Sequence, residues 1–241
     1  MTDGELAAHL ATEAGQILLG LRKWWDRDPR LLGEAGDAQA NAFLVYALRD
    51  VRPADGLLSE EEKDDPRRLA QSRVWIVDPL DGTREYGECR DDWAVHVALA
   101  VDGIATAGAV ALPARGLTLC SEKPHVLAPA NQPLKIVVSR TRPAAEALAL
   151  AEKLEAELLP MGSAGAKAMA VVRGEADIYI HTGGQYEWDN CAPIAVAQAA
   201  GLHCSRVDGS PVRYNNPDPY LPDLLICRQE LVRAIMAALG D

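Results

Sequence analysis

The residues of this sequence that most clearly suggest chemistry are Asp78 and Asp81, in the segment Asp-Pro-Leu-Asp-Gly-Thr. Pro79 and Gly82 favour a tight turn of the backbone around them, and in such a turn the two carboxylates converge on one point. Carboxylate oxygens are the hard ligands that Mg²⁺ prefers, so the segment predicts a magnesium site. An isolated Asp-Gly-Thr is also typical of a plain surface turn, and at this point both interpretations stay open.

Other acidic residues lie where they can join these two aspartates. Glu60 and Glu61 follow a predicted short strand, so we expect their carboxylates beside Asp78, at the end of a neighbouring strand, where the sites of α/β proteins gather. Asp189 and Asp37 each stand at the start of a predicted helix. A lone aspartate at that place is also explained as an N-cap, so the structural interpretation stays beside the functional one.

The elements that position these residues follow from hydrophobic periodicity and from turn residues. The first four segments are helices at residues 3–25 and 37–51 and strands at residues 56–59 and 73–77. Residues 93–120 then alternate β-rich runs with turns, and Asp102-Gly103 is a hairpin signal. This part of the chain therefore predicts an antiparallel meander next to the acidic residues.

A proline-rich joint at residues 124–134 leads to a second part with a different pattern. Its predicted strands are residues 135–139, 177–180 and 224–227, and its predicted helices are residues 143–158, 164–173, 189–200 and 230–239. The fold class is therefore α/β, with an α+β first part. We expect an α+β metal-binding half with the meander at residues 1–128, an α/β half at residues 129–241, and one compact catalytic unit with the site between them.

The composition supports a layered fold and restricts the partners. Hydrophobic residues make up 49% of the 241 residues, whereas aromatic residues make up only 5%, so small aliphatic side chains must fill the core between helices and sheets. The 35 acidic and 24 basic residues give a net charge of −11, which disfavours binding to nucleic acid and to anionic membranes. A phosphorylated substrate would need metal cations or a local basic pocket.

The cysteines and the first residues of the sequence bear on the compartment. The five cysteines are scattered and never form a C-x-x-C pair, which predicts neither a disulfide framework nor a thiolate zinc site. The five histidines share no metal-ligand spacing, and we interpret His96, within a strand, as structural. The start of the sequence is acidic, and no stretch has the length of a membrane span, so we expect a cytoplasmic protein without membrane contact.

In combination the acidic motifs are far more specific than each is alone. Glu-Glu at 60–61, Asp-Pro-x-Asp-Gly-Thr at 78–83 and Trp-Asp at 188–189 occur here in the order of a known family. The sequence resembles the lithium-sensitive, magnesium-dependent phosphatases of the inositol monophosphatase family, from Leu31 to Cys227. Residues 58–61, 81–86, 138–140 and 187–189 are most similar to the actinobacterial type of the branch that removes the 3′-phosphate from 3′-phosphoadenosine 5′-phosphate.

The resemblance implies a fold and a reaction. The fold is a layered α-β-α-β-α sandwich of the inositol monophosphatase and fructose-1,6-bisphosphatase type. The activity is that of a 3′(2′),5′-bisphosphate nucleotidase, in which a metal-activated water hydrolyses the 3′-phosphate to give AMP and phosphate. Inositol monophosphate and fructose 1,6-bisphosphate stay open as alternative substrates, because members of the family overlap. A homodimer is also an expectation from the family.

The resemblance also implies site residues. One Mg²⁺ would be held by Glu60, Asp78 and the carbonyl of Leu80, and a second by Asp78, Asp81 and Asp189; Glu61 would be a neighbour of the site. The implied catalytic residues are Glu60, Thr83 and Asp37, of which Glu60 and Thr83 would orient the water. The implied substrate-binding residues are Gly82, Thr83, Arg84, Ser139, Arg140 and Lys167. The backbone N–H groups of Gly82 and Thr83, at a helix start, would take the phosphate oxygens.

Two segments depart from the family pattern. Residues 31–37 read Leu-Leu-Gly-Glu-Ala-Gly-Asp, which recovers only Asp37, so a third metal and the mobile loop that supports it stay open. The arginine that often precedes Trp-Asp is missing, and His181 lies near its place. For a second phosphate we expect Lys167 and Arg140, with Arg142 as a further cation for which surface solvation is an equal interpretation.

Two other classes of function are weighed against this one. A phosphatase of the haloacid-dehalogenase type needs Asp-x-Asp directly after a strand, whereas this sequence has Asp-x-x-Asp. A non-catalytic phosphate-binding regulator is indicated by the loss of a metal ligand, and every ligand matched to the family is present. A metal-dependent phosphomonoesterase is therefore the preferred hypothesis.

Overall fold

Two five-stranded sheets organise the protein, whose computed structural model describes residues 1–26 and 28–240. The first sheet contains β1 (Gly56–Ser59), β2 (Arg73–Asp81), β3 (Ala94–Val101), β4 (Ile104–Leu112) and β5 (Leu117–Cys120), in that spatial order. The second has the order β7-β6-β8-β10-β9 and contains β6 (Lys135–Ser139), β7 (Glu157–Met161), β8 (Ile178–Tyr186), β9 (His203–Ser205) and β10 (Tyr220–Cys227). β1 pairs parallel with β2, β2 pairs antiparallel with β3, and β3 to β5 form the predicted antiparallel meander.

Helices cover both sheets and also lie between them. The helices are α1 (Asp3–Lys23), α2 (Pro29–Val51), α3 (Thr83–Gly87), α4 (Ala145–Leu154), α5 (Ala164–Val172), α6 (Glu187–Ala199) and α7 (Val232–Gly240). α1 and α2 pack on the outer face of the first sheet, and α4 and α7 cover the outer face of the second. α5 and α6 lie between the sheets and contact strands of both. The layers therefore alternate as α-β-α-β-α, which confirms the predicted sandwich.

The middle layer explains how a chain with few aromatic residues builds its core. Every residue of α5 is buried, as expected of a helix that packs against protein on all sides. Its alanine-rich sequence lets the two sheets approach it closely. The exception in this apolar helix is Lys167, whose residue is only 6% exposed. A buried lysine in the central layer needs a specific partner or a function.

The start of α2 differs from the prediction. α2 begins at Pro29 and not at Asp37, with Asp28 as N-cap and proline in the first turn. Gly33 and Gly36 argue against a helix in the sequence, but the fold needs both of them. A Cβ atom at Gly36 would come within 3.0 Å of Leu18 and Tyr86, so glycine allows α2 to pack closely there. Asp37 is therefore an interior residue of α2, and its interpretation as an N-cap was wrong.

The second part of the chain contains more strand than predicted. Residues 143–158 were predicted as one helix, but Glu155 adopts a left-handed backbone with φ 52°, which ends α4, and β7 follows. β7 pairs parallel with β6 at the sheet edge. β9 was not predicted, and β8 and β10 are longer than expected. Pairing with neighbouring strands determines where these strands form and how far they extend. The local sequence pattern does not carry this information.

Two further expectations concern the whole described chain. None of the helices in residues 1–26 and 28–240 has the length and apolar character needed to cross a membrane. The five cysteines, all within this part of the chain, are free thiols.

Candidate active site

A β-bulge in β2 brings Asp78 and Asp81 together. In a regular strand, residues three apart point to opposite faces of the sheet. Here Asp78 pairs with His96 and Asp81 with Ala94. The step is three residues along β2 and only two along β3, so β2 carries one extra residue, which is a β-bulge. Such a bulge re-aims side chains, and bulges are frequent next to active sites. The predicted convergence of the two aspartates is present, and it comes from the bulge within the strand.

Glu60 lies beside them because β1 runs parallel to β2. Ser59 is the register partner of Val77, and the Glu60 N–H donates to the Val77 carbonyl at 3.3 Å. Both strands thus end at the same edge of the sheet. β1 ends one residue before Glu60, and β2 ends three residues after Asp78. The arrangement agrees with the reasoning that the carboxyl ends of neighbouring parallel strands gather functional groups.

Asp189 reaches the same place from the middle layer. α6 begins at Glu187, so Asp189 is the third residue of the helix and not its N-cap as an alternative interpretation had it. Its Oδ2 accepts a hydrogen bond from the Tyr186 N–H at 2.6 Å. One carboxylate oxygen each of Asp78, Asp81 and Asp189 lies within 4.8 Å of the others. We call these three residues the carboxylate cluster.

Asp37 and Thr83 stand next to the cluster. The Thr83 hydroxyl lies 3.1 Å from Asp37 Oδ2 and 3.2 Å from the Leu80 carbonyl, and its proton can be donated to either. The other carboxylate oxygen of Asp37 is buried and has no hydrogen-bond partner in the described chain. A buried, unpaired acceptor beside other carboxylates is costly, and a cation is the partner that such an oxygen lacks.

The pKa values of four carboxyl groups here are raised, because burial and mutual repulsion outweigh the attraction of the nearby His96 and Lys167. Burial, followed by repulsion from Glu61 and Glu60, raises the pKa of Asp37 to about 8. Burial and the charges of Asp189 and Asp81 raise the pKa of Glu60 to about 7, and burial and Asp81 raise that of Asp189 to about 6. The pKa of Asp78 lies well above its ordinary value for the same reasons, burial first and then Glu60.

Asp81 behaves differently because His96 and donors at the start of α5 surround it. Its Oδ2 accepts hydrogen bonds from the Ser163 hydroxyl at 2.5 Å and the Gly165 N–H at 2.6 Å, and its Oδ1 accepts one from the Ala164 N–H at 3.1 Å. Burial acts to raise the pKa of Asp81, but His96, followed by Lys167 and the Ser163 hydroxyl, outweighs it and lowers the pKa. Asp81 is therefore the member of the cluster that stays negatively charged most readily.

His96 is a neighbour of the cluster that the sequence reasoning set aside. It is fully buried, its Nδ1 lies 3.0 Å from the Trp188 carbonyl, and its Nε2 lies 3.2 Å from Asp81 Oδ2, within ion-pair distance. Burial opposes the charged imidazole, but Asp81 outweighs it and raises the pKa of His96. A Cβ atom at Gly165 would stand 2.0 Å from Nε2, so the glycine that opens α5 admits the ring. No spacing in the sequence indicates this contact.

A cleft of 610 Å³ opens beside the carboxylate cluster, on the second sheet's side. Its charged lining residues are Asp81, Arg84, Glu85, Arg140, Arg142, Lys167 and Asp189. Lys167 Nζ donates to the carbonyls of Gly162 and Ser163 and lies over the Tyr179 ring. Burial lowers the pKa of Lys167, while the nearby Asp81 opposes this shift.

The arginines of the cleft differ in how far their charge is neutralised. Arg140 forms ion pairs with Glu85, at 3.5 Å, and with Asp92. Arg142 is exposed, lines the same cleft and takes part in none of the ion pairs formed by residues 1–26 and 28–240. Charge that is already paired has less attraction left for a ligand. The geometry therefore favours Arg142 over Arg140 as a cation for an anionic group.

The remaining predicted substrate residues lie at the cleft as well. Gly82 has a left-handed backbone, with φ 89°, and is the N-cap of α3, so the turn before Thr83 requires glycine. Arg84 pairs with Glu88 on the surface, at 2.9 Å. The Ser139 hydroxyl accepts a hydrogen bond from the Arg142 N–H at 3.3 Å. Glu61 is exposed beside Glu60 and takes no part in the carboxylate cluster.

His181 also lines the cleft, at the place where the family often has an arginine. Its Nε2 lies 3.0 Å from the Gly184 carbonyl. Burial lowers the pKa of His181, so the ring is neutral at pH 7 and supplies no charge for a phosphate. The missing arginine is therefore not replaced by a cation at this position.

The fold and this site agree with one family. A model of the inositol monophosphatase family matches residues 7–238, so the chain belongs to this family. The 3′-phosphoadenosine 5′-phosphate phosphatase of Mycobacterium leprae (strain TN) is 49% identical to it over 256 aligned positions, which cover 100% of this chain and 94% of the relative. The enzyme of the same name from Mycobacterium bovis is 52% identical over 95% of this chain and 90% of its own length.

More distant similarity extends to other bacteria. The 3′(2′),5′-bisphosphate nucleotidase CysQ of Escherichia coli (strain K12) is 30% identical over 78% of this chain and 81% of the relative. The crystal structure of CysQ from Bacteroides thetaiotaomicron superimposes with a TM-score of 0.81 at 24% identity, covering 93% of this chain and 96% of that one. A staphylococcal inositol monophosphatase structure gives 0.81 at 19% identity, covering 100% and 94%. These two structures bear on the fold.

Proposed function

We propose that this protein is a Mg²⁺-dependent phosphomonoesterase that hydrolyses the 3′-phosphate of 3′-phosphoadenosine 5′-phosphate to AMP and inorganic phosphate. The observation that carries the proposal is a group of buried carboxylates whose mutual repulsion exceeds the attraction of nearby cations, at one end of a cleft whose wall carries Arg142 and Lys167. The names of the mycobacterial relatives support the choice of substrate.

The residues present fit divalent cations. The carboxylate cluster offers only oxygen donors, and the unpaired oxygen of Asp37 beside it adds another. We propose that Glu60, Asp78 and the Leu80 carbonyl hold one Mg²⁺ and that the carboxylate cluster holds a second. When bound, Mg²⁺ supplies Lewis-acid chemistry: it neutralises phosphate charge and makes water easier to deprotonate.

The chain's own groups then orient the nucleophile. Because Thr83 can donate its hydroxyl proton to Asp37, the lone pairs of its oxygen remain able to accept a hydrogen bond from the attacking water. We propose that Glu60 acts with Thr83 to hold this water in line with the phosphorus–oxygen bond that breaks. The N–H groups of Gly82 and Thr83 would hold the phosphate oxygens. The reaction consumes water and releases the 3′-hydroxyl and inorganic phosphate.

A bisphosphate has a second anionic group that needs its own cation in a protein of net charge −11. We propose Arg142 for this group, because Arg140 is already paired with two carboxylates. Lys167 contributes as well, since two of its three N–H groups are donated to carbonyls and the third remains for a ligand. Lys167 also holds the Gly162–Ser163 backbone, whose serine contacts Asp81.

The test measures phosphate release from 3′-phosphoadenosine 5′-phosphate, inositol 1-phosphate and fructose 1,6-bisphosphate, with Mg²⁺ varied. We expect the nucleotide bisphosphate to have the highest kcat/KM and no turnover without a divalent cation. A higher kcat/KM for inositol 1-phosphate or for fructose 1,6-bisphosphate would replace the proposed substrate. Binding without release of phosphate from any of them would indicate a regulator.

Single alanine variants test the second-phosphate residues. Arg142→Ala removes a charge-assisted contact worth about 1.5–3 kcal/mol, so kcat/KM for the nucleotide bisphosphate should fall about 10- to 150-fold and that for inositol 1-phosphate should change little. Lys167→Ala should lower both, because the backbone beside Asp81 loses its support. Arg67→Ala, at an exposed ion pair, is the control for net charge. Equal losses for both substrates with Arg142→Ala would reject its role.

Other expectations stay predictions. They are a cytoplasmic location, a homodimer, the absence of nucleic acid among the partners, and the division into residues 1–128 and 129–241 with the site between these halves. Size-exclusion chromatography with light scattering would measure the oligomeric state directly. A monomer at micromolar concentration would contradict the expected homodimer.

A further inference from the structure

Gly33 lies against the side chain of Thr83. It precedes Asp37 by one turn of α2, so the two residues are on the same face of the helix. A Cβ atom at Gly33 would stand 2.6 Å from Thr83 Cγ2 and 3.4 Å from the Thr83 carbonyl. Non-bonded carbon atoms approach to about 3.5–4.0 Å, so no residue other than glycine fits here without a movement.

The methyl group of Thr83 cannot move away without moving the hydroxyl. Both groups are bonded to the same Cβ, and the rotamers of this bond are staggered wells far apart from one another. In the present rotamer the hydroxyl lies 3.1 Å from Asp37 Oδ2 and 3.2 Å from the Leu80 carbonyl. Another rotamer would take the oxygen away from both acceptors. The space over Gly33 is therefore a condition of the contact between Thr83 and Asp37.

We propose that Gly33 is a positioning residue for Thr83. Its missing side chain lets α2 deliver Asp37 to the hydroxyl while the Thr83 methyl occupies the space over the helix backbone. The inference rests on the proposed function, in which Thr83 orients the attacking water. Gly33 belongs to the segment at 31–36 that departs from the family pattern, so the resemblance does not supply this role.

The test compares four variants with the wild type: Gly33→Ala, Thr83→Ser, the double variant, and Gly20→Ala as the control. Gly20 is an exposed helical glycine of α1, and no atom lies within 4 Å of its Cβ position. The measurements are kcat and KM with 3′-phosphoadenosine 5′-phosphate at saturating Mg²⁺ and the melting temperature. Thr83→Ser keeps the hydroxyl and removes the methyl that Gly33 accommodates.

We expect Gly33→Ala to lower kcat about 100-fold, as a misplaced catalytic group does, with KM little changed. The melting temperature of Gly33→Ala should fall much less than the loss of kcat would suggest, because alanine favours the helix more than glycine does. The double variant should return to the kcat of Thr83→Ser alone, since the clashing methyl is gone. Gly20→Ala should match the wild type. A glycine needed only for packing would lower the melting temperature when replaced and leave kcat near that of the wild type.

Three results would overturn the proposal: wild-type kcat in Gly33→Ala, a double variant as slow as Gly33→Ala, or failure of both to fold. If Gly33→Ala alone fails to fold and the double variant folds with activity, the contact is supported. If the wild type releases no phosphate from this substrate, the proposed function is rejected independently. In that case the melting temperatures of the wild type, Gly33→Ala, Thr83→Ser and the double variant still show whether Gly33 and Thr83 are energetically coupled.

Discussion

The two ends of β2 place aspartates in opposite surroundings. At the beginning of the strand, Arg73 pairs with Asp55 at 2.9 Å and with Asp3 at 3.0 Å, and the Trp75 indole N–H also donates to Asp55. Burial acts to raise the pKa of Asp3, but Arg73 and Arg52 outweigh it and lower the pKa. Each of these carboxylates has a partner, and the cluster ties β2 to the first residues of α1.

At the other end of β2 the carboxylates face one another. Asp78 has a raised pKa, and so have Asp37 and Glu60 beside it. Carboxylates paired with arginine at the first end support the fold, whereas the carboxylates at the second end, apart from Asp81 beside His96, repel one another and destabilise it. Such a cluster is retained where a positively charged ligand binds, and this is the physical argument for a metal site at one end of the strand and not at the other.

The largest expected effect is the loss of turnover in Asp78→Asn and Asp81→Asn. In the proposed function each variant removes a charged metal ligand worth several kcal/mol in the transition state, so kcat/KM should fall about a thousandfold or more. Phosphate release at saturating Mg²⁺ measures it. Asp55→Asn, at the paired end, is the matched control and should keep its activity. Near-wild-type turnover in either cluster variant would remove the distinction between the two ends.

The same variants should have different effects on stability in the metal-free protein. Asp78→Asn removes repulsion and should melt at or above the wild-type temperature. Asp55→Asn weakens the contacts to Arg73 and Trp75 and should lower the free energy of unfolding by about 1.5–3 kcal/mol. Asp81→Asn should also melt lower, because the donors of α5 favour the charged carboxylate. Calorimetry after EDTA treatment measures all three, and equal shifts for Asp78→Asn and Asp55→Asn would contradict the comparison.

The pH dependence of stability should also divide between the ends. Carboxyl groups with raised pKa bind protons more tightly in the folded state, so their contribution is present below their ordinary pKa of about 4 and is lost as the pH rises. With Asp189 at about 6, Glu60 at about 7 and Asp37 at about 8, this loss spans the range from about 4 to 8. The melting temperature of the metal-free protein should therefore fall from pH 5 to pH 8.

Two controls test whether the unpaired carboxyl groups cause this pH dependence of the melting temperature. Asp37→Asn should flatten the slope, and saturating Mg²⁺ should remove most of it. Asp3 has a lowered pKa, so its contribution is present above about 4 and is lost only in more acidic solution. A melting temperature that rises from pH 5 to pH 8 without metal would show that the carboxylates are not in mutual repulsion.

The smallest effect expected is a difference between two monovalent salts. Li⁺ should inhibit phosphate release and matched Na⁺ should not, because a small cation competes at the carboxylate site whereas ionic screening is the same for both. The paired end should respond to neither salt beyond screening, which melting temperatures in both salts can check. Equal inhibition by the two salts would mean that no specific site is involved.

Much of the architecture was predictable because its causes are local. The meander follows from alternating apolar residues and the Asp102-Gly103 turn, which adopts positive φ at both positions. The order of layers followed from the family resemblance. The start of α2 was not predictable in the same way, since Gly33 and Gly36 weaken a helix locally and are explained only by what packs against them. β7 likewise depends on its neighbour β6.

The candidate site likewise has some features that the local sequence predicts and others that only the tertiary structure determines. The residue types and spacing of Asp78 and Asp81 indicated a metal site, but the bulge that brings them together is a property of the pairing between β2 and β3. The contact of His96 with Asp81 and the ion pairs of Arg140 depend on where separate elements meet. A single sequence shows which ionisable side chains are available, whereas tertiary packing determines which of their charges are neutralised by a partner.

The position of Asp189 has a consequence for the time course of folding. The carboxylate cluster is complete only when the helix that carries Asp189 has packed against the sheet that carries Asp78 and Asp81, which lie far earlier in the chain. Such a long loop closes late, so a divalent cation finds its full set of ligands in the native state and hardly in earlier ones. Added metal should therefore slow unfolding strongly and leave the rate of refolding almost unchanged.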